Sequence, residues 1–193
     1  MNFIKQHRQT EKLLASLLSD NVDANTLAKA GLRAEELEEV KAAASQDIDF
    51  MFTRDPSVKS VDEIKTYTSM FAITAHRIAN IVPDRILARQ IAEYAKSVTG
   101  ADIHPGATIG VPFAIDHGMG VAIGETAVIG KNCMLYHGVT LGATAPAKNS
   151  RAQAGKKRHP TLGDNVVVYC NSTIIGDITI PDGTIVGGHK FIK

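Results

Sequence analysis

The chain has 193 residues, 44% of them apolar and 21% charged, with a net charge of +1. That length suits one large domain or two small ones, and the composition excludes a disordered chain. The near-neutral balance gives no overall electrostatic case for nucleic acid, and no stretch is apolar enough to span a bilayer. The opening MNFIKQHRQTEK carries no secretory apolar run. The two cysteines, Cys133 and Cys170, sit at positions expected to be buried and fit a reducing cytoplasm.

Residues 1–100 read as a helical domain. Leu13, Leu14, Leu17 and Leu18 form a stripe at helical spacing, and this stripe is the candidate for a contact between subunits. Residues 33–52 favour helix until the Asp55-Pro56 step ends it. Ser60-Val61-Asp62-Glu63 reads as a capping box for a helix whose face is Ile64, Tyr67, Met70, Phe71, Thr74 and Ile78. A further helix opens at Pro83-Asp84, shows Leu87, Ile91, Tyr94 and Val98, and stops at Gly100.

From residue 101 to 193 the pattern changes to a repeat. Aliphatic residues recur every six positions in three runs: Ile103, Ile109, Ile115 and Val121; then Ile123, Ile129, Leu135 and Leu141; then Leu162, Val168, Ile174, Ile180 and Val186. A six-residue unit is too short for a helical repeat and holds one short strand and a turn. Such units bury their apolar side chains by stacking on their neighbours. The pattern resembles the hexapeptide repeat of left-handed parallel β-helix acyltransferases. That resemblance implies an α+β chain: an N-terminal helical domain followed by a left-handed parallel β-helix with three hexads to each triangular coil.

The repeat is interrupted over residues 143–161, ATAPAKNSRAQAGKKRHPT. This insertion carries Lys148, Arg151, Lys156, Lys157 and Arg158 and no acid, so it is a local positive patch on an exposed loop. It ends in Arg158-His159-Pro160, a polar foot where the coil resumes, as suits a loop that covers a site.

Of the seven histidines, His117 stands out because it follows Asp116 and lies fifteen residues after Asp102. With eighteen residues to a coil, Asp102 falls one coil below it, displaced by three positions. Stacked strands lie ~4.8 Å apart, which permits a carboxylate–imidazole hydrogen bond. Such a pair would set the tautomer and stabilise the imidazolium formed when His accepts a proton. The series Asp102-Ile-His-Pro, Asp116-His117-Gly-Met-Gly, Val121-Ala-Ile-Gly-Glu-Thr-Ala-Val-Ile-Gly, Val139-Thr-Leu-Gly and Arg158-His159-Pro160 closely resembles the serine acetyltransferase family. The match is strong from about Asp102 to Gly188 and weaker before Asp55.

The resemblance implies acetyl transfer from acetyl-CoA to the L-serine hydroxyl, giving O-acetylserine for cysteine synthesis. It implies His117 as general base, oriented by Asp102. Asp55 and Asp116 would hold the serine ammonium, and Arg158 and His159 its carboxylate, a task suited to a guanidinium fork. Gly142, Ala143, Thr144, Cys170 and Gly188 would line the acetyl-CoA path. Position 143 is Ala where many members have Gly, and His137 stands where Gln is common. No Ser or Cys sits in a nucleophile elbow, so direct attack is expected rather than an acyl-enzyme. The resemblance also implies a homo-oligomer, a trimer or a dimer of trimers, with the acetyl-CoA site between neighbours.

Two other readings compete. A hexapeptide acetyltransferase acting on a sugar would need no cationic clamp for a carboxylate. A metalloenzyme resembling the γ-class carbonic anhydrases would need three converging imidazoles, and no two histidines of the repeat show the close spacing of that site, so no metal is expected. The family usually continues beyond the equivalent of Gly188 into another coil and a tail that docks into cysteine synthase. Here the sequence reaches only Lys193, which weighs against that complex.

Overall fold

The computed structural model describes residues 3–144 and 150–193. Lys148 of the positive patch lies outside them. Six helices lead the chain: α1 (Phe3–Leu17), α2 (Ala24–Ala30), α3 (Ala34–Arg54), α4 (Val61–Ile64), α5 (Thr68–Ile81) and α6 (Arg85–Thr99). The first strand then opens at Asp102. Among the described residues no helix is long and apolar enough to cross a membrane.

Local chemistry sets the helix ends. The Asp84 carboxylate accepts from the backbone N–H of Ile86 and Leu87 at the start of α6, and Gly100 ends it in the left-handed region at φ 75°. The helix expected from Ser60 is two helices. Tyr67 adopts an extended conformation (ψ 129°) and begins α5 afresh, leaving α4 a single turn. The expected capping box is not formed by Ser60; instead the Glu63 carboxylate accepts from the Lys59 N–H at 3.1 Å. Helix α2, with Asp23 capping its first turn, was not anticipated from the sequence.

The leucine stripe of α1 also differs from expectation. Leu14 and Leu17 are buried inside their own chain, in a core with α2, α3, α5 and α6, and only Leu13 and Leu18 are partly open. Residues already sealed in this way cannot be the contact between subunits. The stripe packs within the chain because both of its flanks meet helices.

A buried ion pair ties the helices to the strands. Arg77 on α5 makes a two-pronged contact with Asp47 on α3, at 2.6 and 2.8 Å. Asp47 also accepts from the Phe113 N–H at 2.8 Å, and Arg77 donates to the carbonyls of Ile109 and Gly110. Every polar atom of the pair meets the coil or its counterpart, so removing either partner would strand a buried charge at a cost of ~3–5 kcal/mol.

The strands form three parallel sheets of five, four and four strands. Their registers stack the aliphatic residues into three inward ladders. Ile103, Ile123, Leu141, Ile174 and Ile192 form one. Ile109, Ile129, Leu162 and Ile180 form the second, and Ile115, Leu135, Val168 and Val186 the third. This is the triangular parallel β-helix that the family resemblance implies, with the insertion leaving one coil between Gly142 and Thr161.

The first coil corrects two sequence expectations. Asp102 pairs with Ala122 and Ile103 with Ile123, so this coil takes twenty residues rather than eighteen. The two extra residues lie in the corner around Gly118 and Gly120, both at positive φ. Val121 therefore does not belong to the ladder of Ile115. It belongs to a second set of buried positions two residues ahead of the ladder positions, which also holds Ala107, Phe113, Ala127, Cys133, Val139 and Val166. Cys133 is buried there as expected, whereas Cys170 lies at a corner and is only half-buried.

Candidate active site

Of the residues singled out in the sequence, Asp55, Asp116 and His117 line one hollow of the chain, and Asp102, Gly142 and His159 line another. The first has a volume of about 340 Å³ and is lined by Asp55, Ser57, Tyr67, Thr68, Ser69, Asp116 and His117. Asp55 reaches it because α3 ends just before Pro56. One carboxylate oxygen accepts from the Ser57 N–H at 2.8 Å and from its hydroxyl, and the other accepts from the Tyr67 hydroxyl at 2.7 Å. The Ser57 hydroxyl, then the Tyr67 hydroxyl and the Ser57 N–H, hold Asp55 below the usual carboxylate range, so it is an anion at neutral pH.

His117 occupies the corner after the strand Phe113–Asp116, at φ 62°. A non-glycine residue in that region is uncommon and turns the side chain out of the strand path. Its side chain is 61% exposed, and its Nε2 lies 3.7 Å from Asp116 Oδ2. Gly118 follows at φ 88°, where a Cβ would press on Ser69 at 3.2 Å, so the corner lies close against α5. The His137 ring meets the His117 ring edge to face, with centroids 5.5 Å apart.

The second hollow, of about 230 Å³, is lined by Arg89, Asp102, His104, Ala122, Ile123, Gly124, Thr140, Leu141, Gly142 and His159. His159 is buried, its ring lying over Gly124, where a Cβ would come within 2.0 Å of it. Its Nδ1 accepts the Thr126 N–H at 3.1 Å, so its proton sits on Nε2. Burial, then Arg158 and Lys157, push His159 below the usual imidazole range. It is therefore a neutral N–H donor at pH 7.

Arg158 stands beside this hollow with its guanidinium on the Glu125 carboxylate. Lys157 donates to the carbonyls of Thr126, His159 and Pro160. Two cations of the patch thus anchor the foot of the insertion to the coil.

Asp102 lies in the second hollow, not the first. Its carboxylate is 2.6 Å from Lys96 Nζ on α6, and among the described residues it makes no hydrogen bond to His117. The residues expected on the acetyl-CoA path divide in the same way. Gly142 lines the second hollow, and Ala143 and Thr144 lead from it into the insertion. Cys170 and Gly188 lie on the corner above His117 and His137, where a Cβ on Gly188 would come 3.3 Å from the Cys170 carbonyl.

The sequence reading missed Ser57, Tyr67, Lys96, Glu125 and Thr126. Ser57 had a local signal, since an Asp two residues ahead readily accepts from its N–H. The rest are joined to the site only by tertiary contacts. Among the described residues no group of three His, Cys, Asp or Glu could hold a metal ion.

Three parallel sheets stacked in hexad register after a helical N-terminal region define the fold class: a hexapeptide-repeat β-helix protein. No family model matches the chain. It is 45% identical over 151 residues to the serine acetyltransferase of Bacillus subtilis, covering 76% of this chain and 66% of that protein. It is 43% identical over 151 residues to that of Bacillus licheniformis, covering 76% of this chain and 67% of that one. The soybean serine acetyltransferase solved with serine superposes with a TM-score of 0.76 at 32% identity, over 97% of this chain and 78% of that chain. The chain belongs to the serine acetyltransferase family. It spans about two-thirds of the length of these curated bacterial relatives.

Proposed function

We propose that the protein is a serine O-acetyltransferase, which moves the acetyl group of acetyl-CoA to the L-serine hydroxyl by direct attack. The observation that carries this reading is the first hollow, where His117 stands exposed beside two carboxylates, Asp55 and Asp116. Serine brings a hydroxyl that needs a base and an ammonium that needs an anion, and this hollow offers both. As the serine oxygen bonds to the acetyl carbon, its proton passes to His117. The carbon–sulfur bond breaks, and His117 returns the proton to the departing thiolate. A positioned base contributes ~10²–10⁴-fold to such a step.

The serine carboxylate is left for Arg158 and the Nε2–H of His159. These stand at the second hollow, so the reading requires His117 of one copy to face Arg158 and His159 of a neighbouring copy. Asp102 would then meet the base of the neighbour, and acetyl-CoA would lie in the cleft between Gly142–Thr144 of one copy and Cys170 and Gly188 of the other. A trimer about an axis parallel to the three β-helices supplies such clefts, and a trimer or dimer of trimers is the assembly we expect. Two free thiols suit a cytoplasmic enzyme of this kind.

Steady-state thiol release from acetyl-CoA with L-serine, homoserine or a hexose as acceptor tests the reading. L-Serine should give the highest kcat/KM. Preference for the hexose would replace it with a sugar acetyltransferase, which needs no carboxylate clamp.

A further inference from the structure

A base needs a defined ring orientation as well as a proton affinity, and little in its own vicinity fixes His117. Its side chain is mostly exposed, its backbone is flanked by Gly118 in the left-handed region, and Asp116 at 3.7 Å lies beyond hydrogen-bond reach. Among the described residues, the one ring against it is His137.

His137 is placed there by the fold. The twenty-residue register pairs Asp116 with Tyr136, so the next residues, His117 and His137, share one corner on successive coils. That corner is held from both sides. The Gly138 N–H donates to the Met119 carbonyl at 2.9 Å, and the His137 carbonyl accepts from the Asn171 N–H at 3.0 Å. Gly138 has φ 68°, and a Cβ there would come 2.1 Å from the Asn171 side-chain oxygen, so a residue other than glycine would disturb it. The preceding Tyr136 is stacked on Tyr169, with ring centroids 4.9 Å apart and planes 11° from parallel.

We propose that His137 is a positioning residue for His117, the wall that fixes the ring of the base in the orientation in which it takes the serine proton. This inference rests on the reading of His117 as the base. The nitrogen chemistry of His137 argues against a relay. Its Nδ1 is sealed from solvent and has no hydrogen-bond partner among the described residues. A proton arriving at its other nitrogen has no exit through Nδ1. The ring acts by shape, and a side chain of similar shape without nitrogens should serve.

The test compares His137→Ala with His137→Phe, alongside His117→Ala. Loss of the ring should lower kcat about tenfold and leave KM for serine and acetyl-CoA within about twofold, because misorientation of the base weakens the chemical step and not ground-state binding. His137→Phe should recover most of that loss. If the Ala variant does not fold, His137→Asn, which keeps a polar side chain but no ring, takes its place. Wild-type kcat in the Ala or Asn variant overturns the proposal. So does a Phe variant as slow as the Ala variant, or a loss that falls on KM. A His117→Ala enzyme as active as wild type defeats the underlying reading instead, whatever position 137 shows.

Discussion

Lys96 holds Asp102 at 2.6 Å, joining the last turn of α6 to the first strand of the coil. The carboxylate expected to orient the base is thus paired within its own chain. With side chains 45% and 40% exposed, the pair is worth no more than ~0.2–1 kcal/mol. It can therefore yield when a neighbouring imidazole competes for the carboxylate. Asp102→Asn should lower kcat by at least about tenfold with KM little changed. Lys96→Met should leave kcat within about threefold and the urea midpoint nearly unmoved. Equal losses in both variants would mean that the ion pair itself, and not the carboxylate, supports turnover.

Arg158 is shared between Glu125 and its proposed role toward serine. Arg158→Ala should raise KM for serine by roughly 10–100-fold and KM for acetyl-CoA far less, since only serine brings the carboxylate. Equal rises for both substrates would point to a role in folding or in binding the CoA phosphates.

The division of residues between two hollows gives a complementation test. Assayed with serine well below the wild-type KM, His117→Ala should be nearly inactive as a pure protein, through lost kcat, and Arg158→Ala only weakly active, through its raised KM. Coexpressed in one cell, they should form mixed trimers in which some clefts join an intact His117 to an intact Arg158. Activity well above that of either parent is the expected result. Mixed preparations no better than the parents would place all the chemistry within one chain.

His76, buried on α5, gives a pH signature. Burial, then the neighbouring Arg77, lower its pKa from 6.5 to about 3, and its Nδ1 has no hydrogen-bond partner among the described residues. The unfolded chain therefore binds a proton between pH 6.5 and 3 that the folded chain refuses. The stability this group contributes is present above pH 6.5 and is lost as pH falls toward 3, by ~2–3 kcal/mol at pH 4.5. Urea unfolding of wild type and His76→Gln at pH 7 and pH 4.5 isolates it. The variant should lose less stability on acidification, and identical pH dependences would show that His76 does not set it.

The ladders were legible because their side chains must be aliphatic and must recur with the coil. Val121 was misread for the same reason: it falls six residues after Ile115, yet the corner at Gly118 and Gly120 holds two extra residues. A side chain in the second set of buried positions then mimics the ladder spacing. The end of α3 was legible through Asp55-Pro56, whereas Asp55 as a candidate site residue came only from the family resemblance. Tyr67 was not, because its place in an apolar stripe conceals the break between α4 and α5 that aims its hydroxyl at Asp55. The Lys96–Asp102 and Asp47–Arg77 pairs carry no sequence period, since they depend on how the helices lie against the coil. Leu14 and Leu17 looked available for an interface because a stripe alone does not tell which surface covers it.

The central claim is that His117 removes the serine proton. It is tested most directly by kcat for thiol release from acetyl-CoA with L-serine in His117→Asn. The residue lies on an exposed corner, so the variant should keep the wild-type urea midpoint. The expected result is a fall in kcat of at least about a hundredfold, the contribution of a positioned base. A folded His117→Asn enzyme with wild-type kcat would contradict the claim.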